Sequence, residues 1–153
     1  MNAWLTVHLI GAVLFLGNII TAAYWKVRAE LRKDPKAIHE AVSGVMQADW
    51  IFTLPGIALL VVSGSVMAGQ AGYPMSGMNW LTASLALFAV TGALWLGLLI
   101  PLQRSMIRHA ARSVERGGLT PEYRRASVRW NAFGIAATLL PVVILYLMVS
   151  KGF

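Results

Sequence analysis

The chain has 153 residues, 58% of them hydrophobic and only 12% charged, with a net charge of +7 and no cysteine. Ordinary soluble domains are about 25% charged, and a water-soluble fold of this length has too little interior to hide so much apolar surface. A bilayer lifts that constraint, because lipid replaces water around the outer helix faces. The lack of cysteine excludes disulfides, thiolate metal sites and cysteine nucleophiles.

A spanning helix needs roughly 20 mostly apolar residues. Four stretches reach that length, and they predict an all-α, four-helix transmembrane bundle of up-down topology, a single integral membrane domain over residues 1–153. The first stretch is 3–25. No basic residue precedes it and Lys26 follows it, so it reads as a retained helix rather than a cleaved signal. The connection 26–49 carries Lys26, Arg28, Arg32, Lys33 and Lys36 against Glu30, Asp34, Glu40 and Asp49. Its first part continues the helix past the membrane. Asp34-Pro35 is a helix start and predicts a short helix over 36–47.

The second stretch, 50–69, contains Pro55. The loop 70–78 is uncharged and holds Met75 and Met78. The third stretch, 79–102, contains Trp95, read as a packing residue, and Pro101. The connection 103–129 carries Arg104, Arg108, Arg112, Arg116, Arg124, Arg125 and Arg129 against Glu115 and Glu122. The first four arginines recur every four residues and form one basic stripe on an extension of the third helix. Gly117-Gly118 ends that extension. Thr120 is the expected N-cap of the approach to the fourth stretch, 130–150, with Pro121 in the first helical position. Pro55, Pro101 and Pro141 each predict a kink or a boundary. Gly11, Gly17, Gly56, Gly64, Gly92, Gly97 and Gly134 offer small surfaces for helix contact, without a clean GxxxG.

Twelve of the 13 basic residues fall in the two long connections, and only Lys151 does not. The positive-inside rule then places both connections in the cytoplasm of a bacterial inner membrane, with both termini and the short loop outside (periplasmic). The same confinement argues against nucleic acid and for contact with anionic lipid headgroups. Trp4, Tyr24, Trp25, Trp50, Tyr73, Trp80 and Trp130 lie near predicted helix ends, where amphipathic rings favour the interface.

Ionisable groups inside a membrane are costly and therefore candidates for function. His8 is the one such residue. Ser63, Ser65, Met67, Thr82, Ser84, Tyr146 and Met148 share its depth. Its imidazole is a candidate haem or metal ligand, with Met148 as a second axial ligand. The alternative is an interfacial histidine bonded to a serine or a backbone carbonyl. A polar inner layer is expected where the helices meet the basic connections: Asn18, Asp49, Gln103, Arg104, Arg129 and Asn131. There Asp49 is placed to pair with Arg129 or Arg104, either as a solvated ion pair or as the floor of an anionic-ligand site. Thioethers of Met75 and Met78, with Met1, Met67 and Met148, suit Cu(I), or are apolar filler. Phosphate-loop, GxSxG and HExxH motifs are absent from the sequence.

Several segments together resemble a bacterial family of predicted integral membrane proteins of unknown function. They are His8-Leu-Ile-Gly-Ala-Val-Leu-Phe-Leu-Gly17-Asn18, Asp49-Trp-Ile-Phe-Thr-Leu-Pro55-Gly56, Leu94-Trp95-Leu-Gly-Leu-Leu-Ile-Pro101-Leu-Gln103, and Arg129-Trp130-Asn131 through Leu147-Met148-Val149-Ser-Lys151. The chain also has a fainter likeness to the small four-helix membrane protoporphyrinogen oxidase and to copper-resistance membrane proteins. The oxidase likeness rests on His8, Arg129, Asn131 and Lys151, and implies haem b bound through His8. The third helix lacks the lysine and histidine expected of that oxidase, and Asn131 is followed by Ala132 rather than a carboxylate. The functional expectations are a haem- or porphyrin-associated membrane protein, an accessory or assembly subunit of a larger membrane complex, or a small transporter working as a homo-oligomer.

Overall fold

The computed structural model describes residues 2–152. Four long helices account for almost all of it: α1 (Asn2–Leu31), α2 (Pro35–Ala71), α3 (Trp80–Arg116) and α4 (Pro121–Ser150). Each contains a stretch long and apolar enough to cross a membrane, and no strand occurs among the described residues. Met1, one of the copper candidates, lies outside the described residues.

The helix starts follow their capping chemistry. Asp34 accepts the amide of Lys36 at 3.1 Å, and Thr120 Oγ1 accepts that of Tyr123 at 3.3 Å. At the start of α3, Asn79 Oδ1 accepts the amides of Leu81 and Thr82, while Thr82 Oγ1 accepts that of Asn79. This reciprocal box satisfies amides that would otherwise lack partners. Gly117 ends α3 in the left-handed region, at φ +71°, where a Cβ would be strained.

One expected boundary is absent. The helix over 36–47 and the second span are a single 37-residue helix, because nothing from Gln47 to Trp50 breaks it. At about 1.5 Å per residue, α2 and α3 are each roughly 55 Å long, against about 30 Å of hydrocarbon. Their basic ends therefore project well beyond the bilayer.

Both long helices contain one π turn, Asp49–Thr53 in α2 and Trp95–Leu99 in α3. Each turn is closed by an i→i−5 bond, from Leu54 N–H to Asp49 O and from Ile100 N–H to Trp95 O. Pro55 and Pro101 follow one residue after the donors. A proline lacks its N–H and collides with the carbonyl four residues back. The widened turn absorbs that collision without breaking the helix, so the expected kinks at Pro55 and Pro101 are realised as π bulges.

The helices pack as two pairs, α1 with α2 and α3 with α4. At the α1–α2 crossing the backbones almost touch. A Cβ on Gly56 would lie 2.9 Å from the Phe15 amide nitrogen and 3.0 Å from the Gly11 carbonyl. Gly17, Gly92 and Gly97 face open space and serve no such contact. The pairs are joined at the basic end, where the first part of α2 packs on the last part of α3. Ile38, Val42, Met106, Ala110 and Tyr123 form a tight core there, each 1% exposed or less. Arg104, Arg108, Arg112 and Arg116 lie exposed on the opposite face of α3, so the arginine stripe is real. Away from the basic end, Leu54–Ala71 and Trp80–Leu94 do not pack backbone to backbone, and α1 meets α4 only briefly. The bundle is therefore tightest at its basic end, and away from it the pairs meet through side chains, as where Phe15 packs edge-on against Phe88 with ring centroids 6.1 Å apart.

Candidate functional site: a lateral cavity over a buried polar floor

Asp49 opens the π turn of α2 and is 4% exposed. Its Oδ1 accepts from Asn18 Nδ2 of α1 at 3.1 Å and from Thr53 Oγ1 at 2.8 Å. Its Oδ2 accepts from Trp95 Nε1 at 3.2 Å and from Gln103 Nε2 at 2.8 Å, both on α3. Asn18 Nδ2 also donates to Thr53 Oγ1, at 2.9 Å. An ionised carboxylate accepts about four hydrogen bonds, and here four neutral donors from three helices fill those places. The carboxylate is thus solvated by dipoles instead of a counter-ion.

The expected pairing of Asp49 with Arg129 or Arg104 is corrected. Both arginines are exposed, and the ion pair among the described residues is Lys26–Glu30. Water and headgroups solvate a guanidinium at the helix surface far better than a bundle interior does, so the arginines turn outward. The inner layer is consequently two clusters. Asn18, Asp49 and Gln103 belong to one; Asn131 belongs to the other.

The second cluster centres on Lys26, which is fully buried. Its Nζ donates to Ser127 Oγ at 2.6 Å and Asn131 Oδ1 at 2.7 Å, and lies 3.0 Å from Glu30 Oε1. It also sits over the Trp130 ring, 5.0 Å from the centroid, within cation–π range. Glu30 Oε1 accepts from Tyr123 OH at 2.7 Å and Ser127 Oγ at 2.6 Å. Tyr123 lies ahead of the apolar span of α4. Burial and the Glu30 carboxylate push its phenol well above the ordinary value, so it stays protonated as a donor.

Between the two pairs lies a cavity of about 470 Å³. It exists because small residues line both walls: Ala22 and Ala23 on α1, Gly134, Ala137 and Thr138 on α4. Ile20, Ile135 and Leu139 flank it and are themselves more than half exposed on the lipid-facing surface, so it opens sideways between α1 and α4. Asp49, Trp95, Gln103, Trp130 and Asn131 give it a polar floor. Two floor atoms are buried without a hydrogen-bond partner among the described residues, Gln103 Oε1 and Trp130 Nε1. Buried polar atoms are almost always satisfied, and leaving one unmade costs about 1–3 kcal/mol. Two such atoms, on residues that line one cavity, mark it as the candidate site.

His8 is elsewhere. It does not line the cavity; it packs on α2, with Nδ1 2.9 Å from Ser63 Oγ and Cε1 beside Gly64. The alternative of a histidine bonded to serine is the arrangement found. With the Ser63 proton on the Leu59 carbonyl, Nδ1 is the donor to Ser63 Oγ and Nε2 the nitrogen with a lone pair. Met148 is half-buried on α4. No group of three or more His, Asp or Glu that could hold a metal occurs among the described residues.

Sequence reasoning missed Lys26, Glu30, Thr53, Trp95 and Ser127. A signal was present: Lys26 and Glu30 are four apart, as are Tyr123, Ser127 and Asn131, a spacing that puts each set on one helix face. The helical continuation of both segments is expected from the sequence, but assigning them to the solvated basic connections hides that these faces meet.

Fold and site together define a four-helix integral membrane protein with a laterally open cavity over a buried, dipole-solvated carboxylate. The family model of DUF2269, predicted integral membrane proteins, matches residues 3–152. The chain belongs to that family. No curated protein and no solved structure matches it.

Proposed function

We propose that this protein binds a membrane-dissolved amphiphile in the lateral cavity. The observation that carries the proposal is the pair of buried, unpartnered polar atoms, Gln103 Oε1 and Trp130 Nε1, on two residues that line an otherwise apolar space open to lipid. Its volume falls in the range of small-molecule pockets, about 300–1,000 Å³. A ligand reaching it from the hydrocarbon leaves its tail among Phe15, Ile19 and Leu139 and brings its head to the floor. The basic end faces the cytoplasm of a bacterial inner membrane in this reading, with the exposed arginine stripe on anionic headgroups.

The test is mass spectrometry of small molecules retained by the purified protein after gentle solubilisation. The wild type retains a molecule enriched over bulk lipid, and Gly134→Leu, which fills the cavity, loses it. Equal lipid profiles for the two proteins refute the proposal.

A second reading concerns His8. The free Nε2 lone pair, with Nδ1–H held by Ser63, is the state in which an imidazole ligates a metal, oriented from behind by its hydrogen bond. His8 would hold haem b by that nitrogen, and the haem would supply one-electron chemistry. An absorption spectrum of protein from haem-replete cells tests this: a Soret band that vanishes in His8→Ala supports it, and a colourless wild type ends it.

A further inference from the structure

We infer that the ligand of the lateral cavity is an uncharged amphiphile whose head both donates and accepts hydrogen bonds through neutral oxygens, at least one of them a hydroxyl, the chemistry shared by hydroquinones and monoacylglycerols. The inference rests on the cavity reading above and adds the head chemistry.

It follows from counting what the floor has left to offer. Asp49 is the one charged residue lining the cavity. Its four acceptor sites are filled by Asn18, Thr53, Trp95 and Gln103. Lys26, behind Asn131, has three N–H donors, and Ser127, Asn131 and Glu30 take them. Neither charge has a place for an opposite charge on a ligand. The Asp49 carboxylate, which has no counter-ion, opposes an anionic head; Lys26 is already paired with Glu30, and a cationic head is disfavoured by the cost of leaving water for an apolar space with no free carboxylate acceptor. The hydroxyls along the walls are occupied as well: Thr91 donates to the Leu87 carbonyl and Thr138 to that of Gly134.

What remains is neutral and of both kinds. Gln103 Oε1 is an acceptor with no donor, and Gln103 is 2% exposed. Trp130 Nε1 is a donor with no acceptor, and Trp130 is 7% exposed. Asn131 uses its Oδ1 for Lys26 and has no hydrogen bond from Nδ2 among the described residues. A carboxylate or a doubly ionised phosphate head accepts only and leaves Gln103 Oε1 unmet. An ammonium head donates only and leaves Trp130 Nε1 unmet. A neutral head with two oxygens, at least one of them a hydroxyl, meets both. Sites built around a hydrogen-bonding head reject analogues that leave a buried group unpaired.

The experiment measures binding of four probes that share one decyl tail to the purified full-length protein in nanodiscs. They are decyl hydroquinone (kept anaerobic), monodecanoylglycerol, decyl phosphate and decylammonium. The expected result is that the neutral probes bind at least about tenfold tighter than either charged one, the worth of one satisfied buried group. The tighter neutral probe distinguishes an aromatic from a glycerol head. Trp130→Phe should weaken the neutral probes about tenfold. It lowers the unfolding midpoint somewhat, because the smaller ring loses buried contact and weakens the cation–π contact with Lys26; helical circular dichroism of the nanodisc sample shows that the variant is folded when binding is read. Charged probes binding as well as neutral ones overturn the head assignment while leaving the cavity reading intact. Neutral probes that bind Trp130→Phe and Gly134→Leu undiminished overturn the assignment by placing the site elsewhere. Failure of all four probes to bind overturns the cavity reading itself.

Discussion

Asp49→Asn isolates the claim that a carboxylate anion is held by four neutral donors. The amide keeps one oxygen and turns an NH2 toward two of those donors. With the oxygen toward Trp95 and Gln103, the Oδ1 bonds from Asn18 and Thr53 at 3.1 and 2.8 Å are lost. Thr53 can still accept from Asn18, so that orientation costs least. Hydrogen bonds to a charged acceptor contribute about 1.5–3 kcal/mol each, and neutral ones about 1. Two lost bonds and two weakened ones amount to roughly 5–8 kcal/mol. Relief of the carboxylate's desolvation returns several of these. A net destabilisation of about 2–3 kcal/mol follows from these two principles. Asp49→Leu removes the charge but strands donors of Asn18, Trp95 and Gln103, at about 1–3 kcal/mol each, and should be worse. The assay is equilibrium unfolding in mixed micelles by SDS titration, followed by tryptophan fluorescence and helical circular dichroism. If Asp49→Asn is as stable as the wild type, or Asp49→Leu more stable, the dipole-solvated carboxylate is wrong.

Three further outcomes are expected. Lys26→Met keeps the apolar stem but strips Glu30 of its counter-charge, and should cost about 2–4 kcal/mol; adding Glu30→Gln should recover part of that in a double-mutant cycle, and strict additivity would show that the two are not coupled. Gly56→Ala forces a methyl onto the α1 backbone and should destabilise by about 1–3 kcal/mol, whereas Gly92→Ala, which meets nothing within 4 Å, should be neutral or slightly stabilising in the same titration. Tyr123 has its phenol raised in the fold, so its contribution is complete below the ordinary value of about 10 and is lost as pH rises beyond it; stability should decline above that pH in the wild type and less in Tyr123→Phe, and parallel curves would show that Tyr123 is not the group responsible.

Much of this molecule is written in one dimension. Hydropathy alone sets four crossings, because hydrocarbon tolerates no other way to satisfy that many backbone groups. Local chemistry sets most helix ends: Asp34-Pro35, Gly117 and Thr120-Pro121 act on amides within four residues of themselves. The arginine stripe follows from spacing and helix period. Asn18, Asp49, Gln103 and Asn131 are also marked in advance, since amides and carboxylates near a bilayer demand partners.

Which partners they take was not legible, because it depends on how the helix pairs rotate and where each helix is overwound or underwound. A π turn at Asp49 and another at Trp95 bring an indole to a carboxylate, where charge alone suggested Arg104 or Arg129. Lys26 reads as one more cation flanking a span, yet the facing Ser127 and Asn131 draw it fully inside. The cavity is the clearest case. Small residues along the spans look like contact residues, and at Gly11 of α1 and Gly56 of α2 they are. Between α1 and α4 small side chains leave a gap, because those two helices approach each other over only a short stretch. Composition determined that the chain lives in lipid; the packing of two helix pairs decided that it holds a polar-floored opening to that lipid.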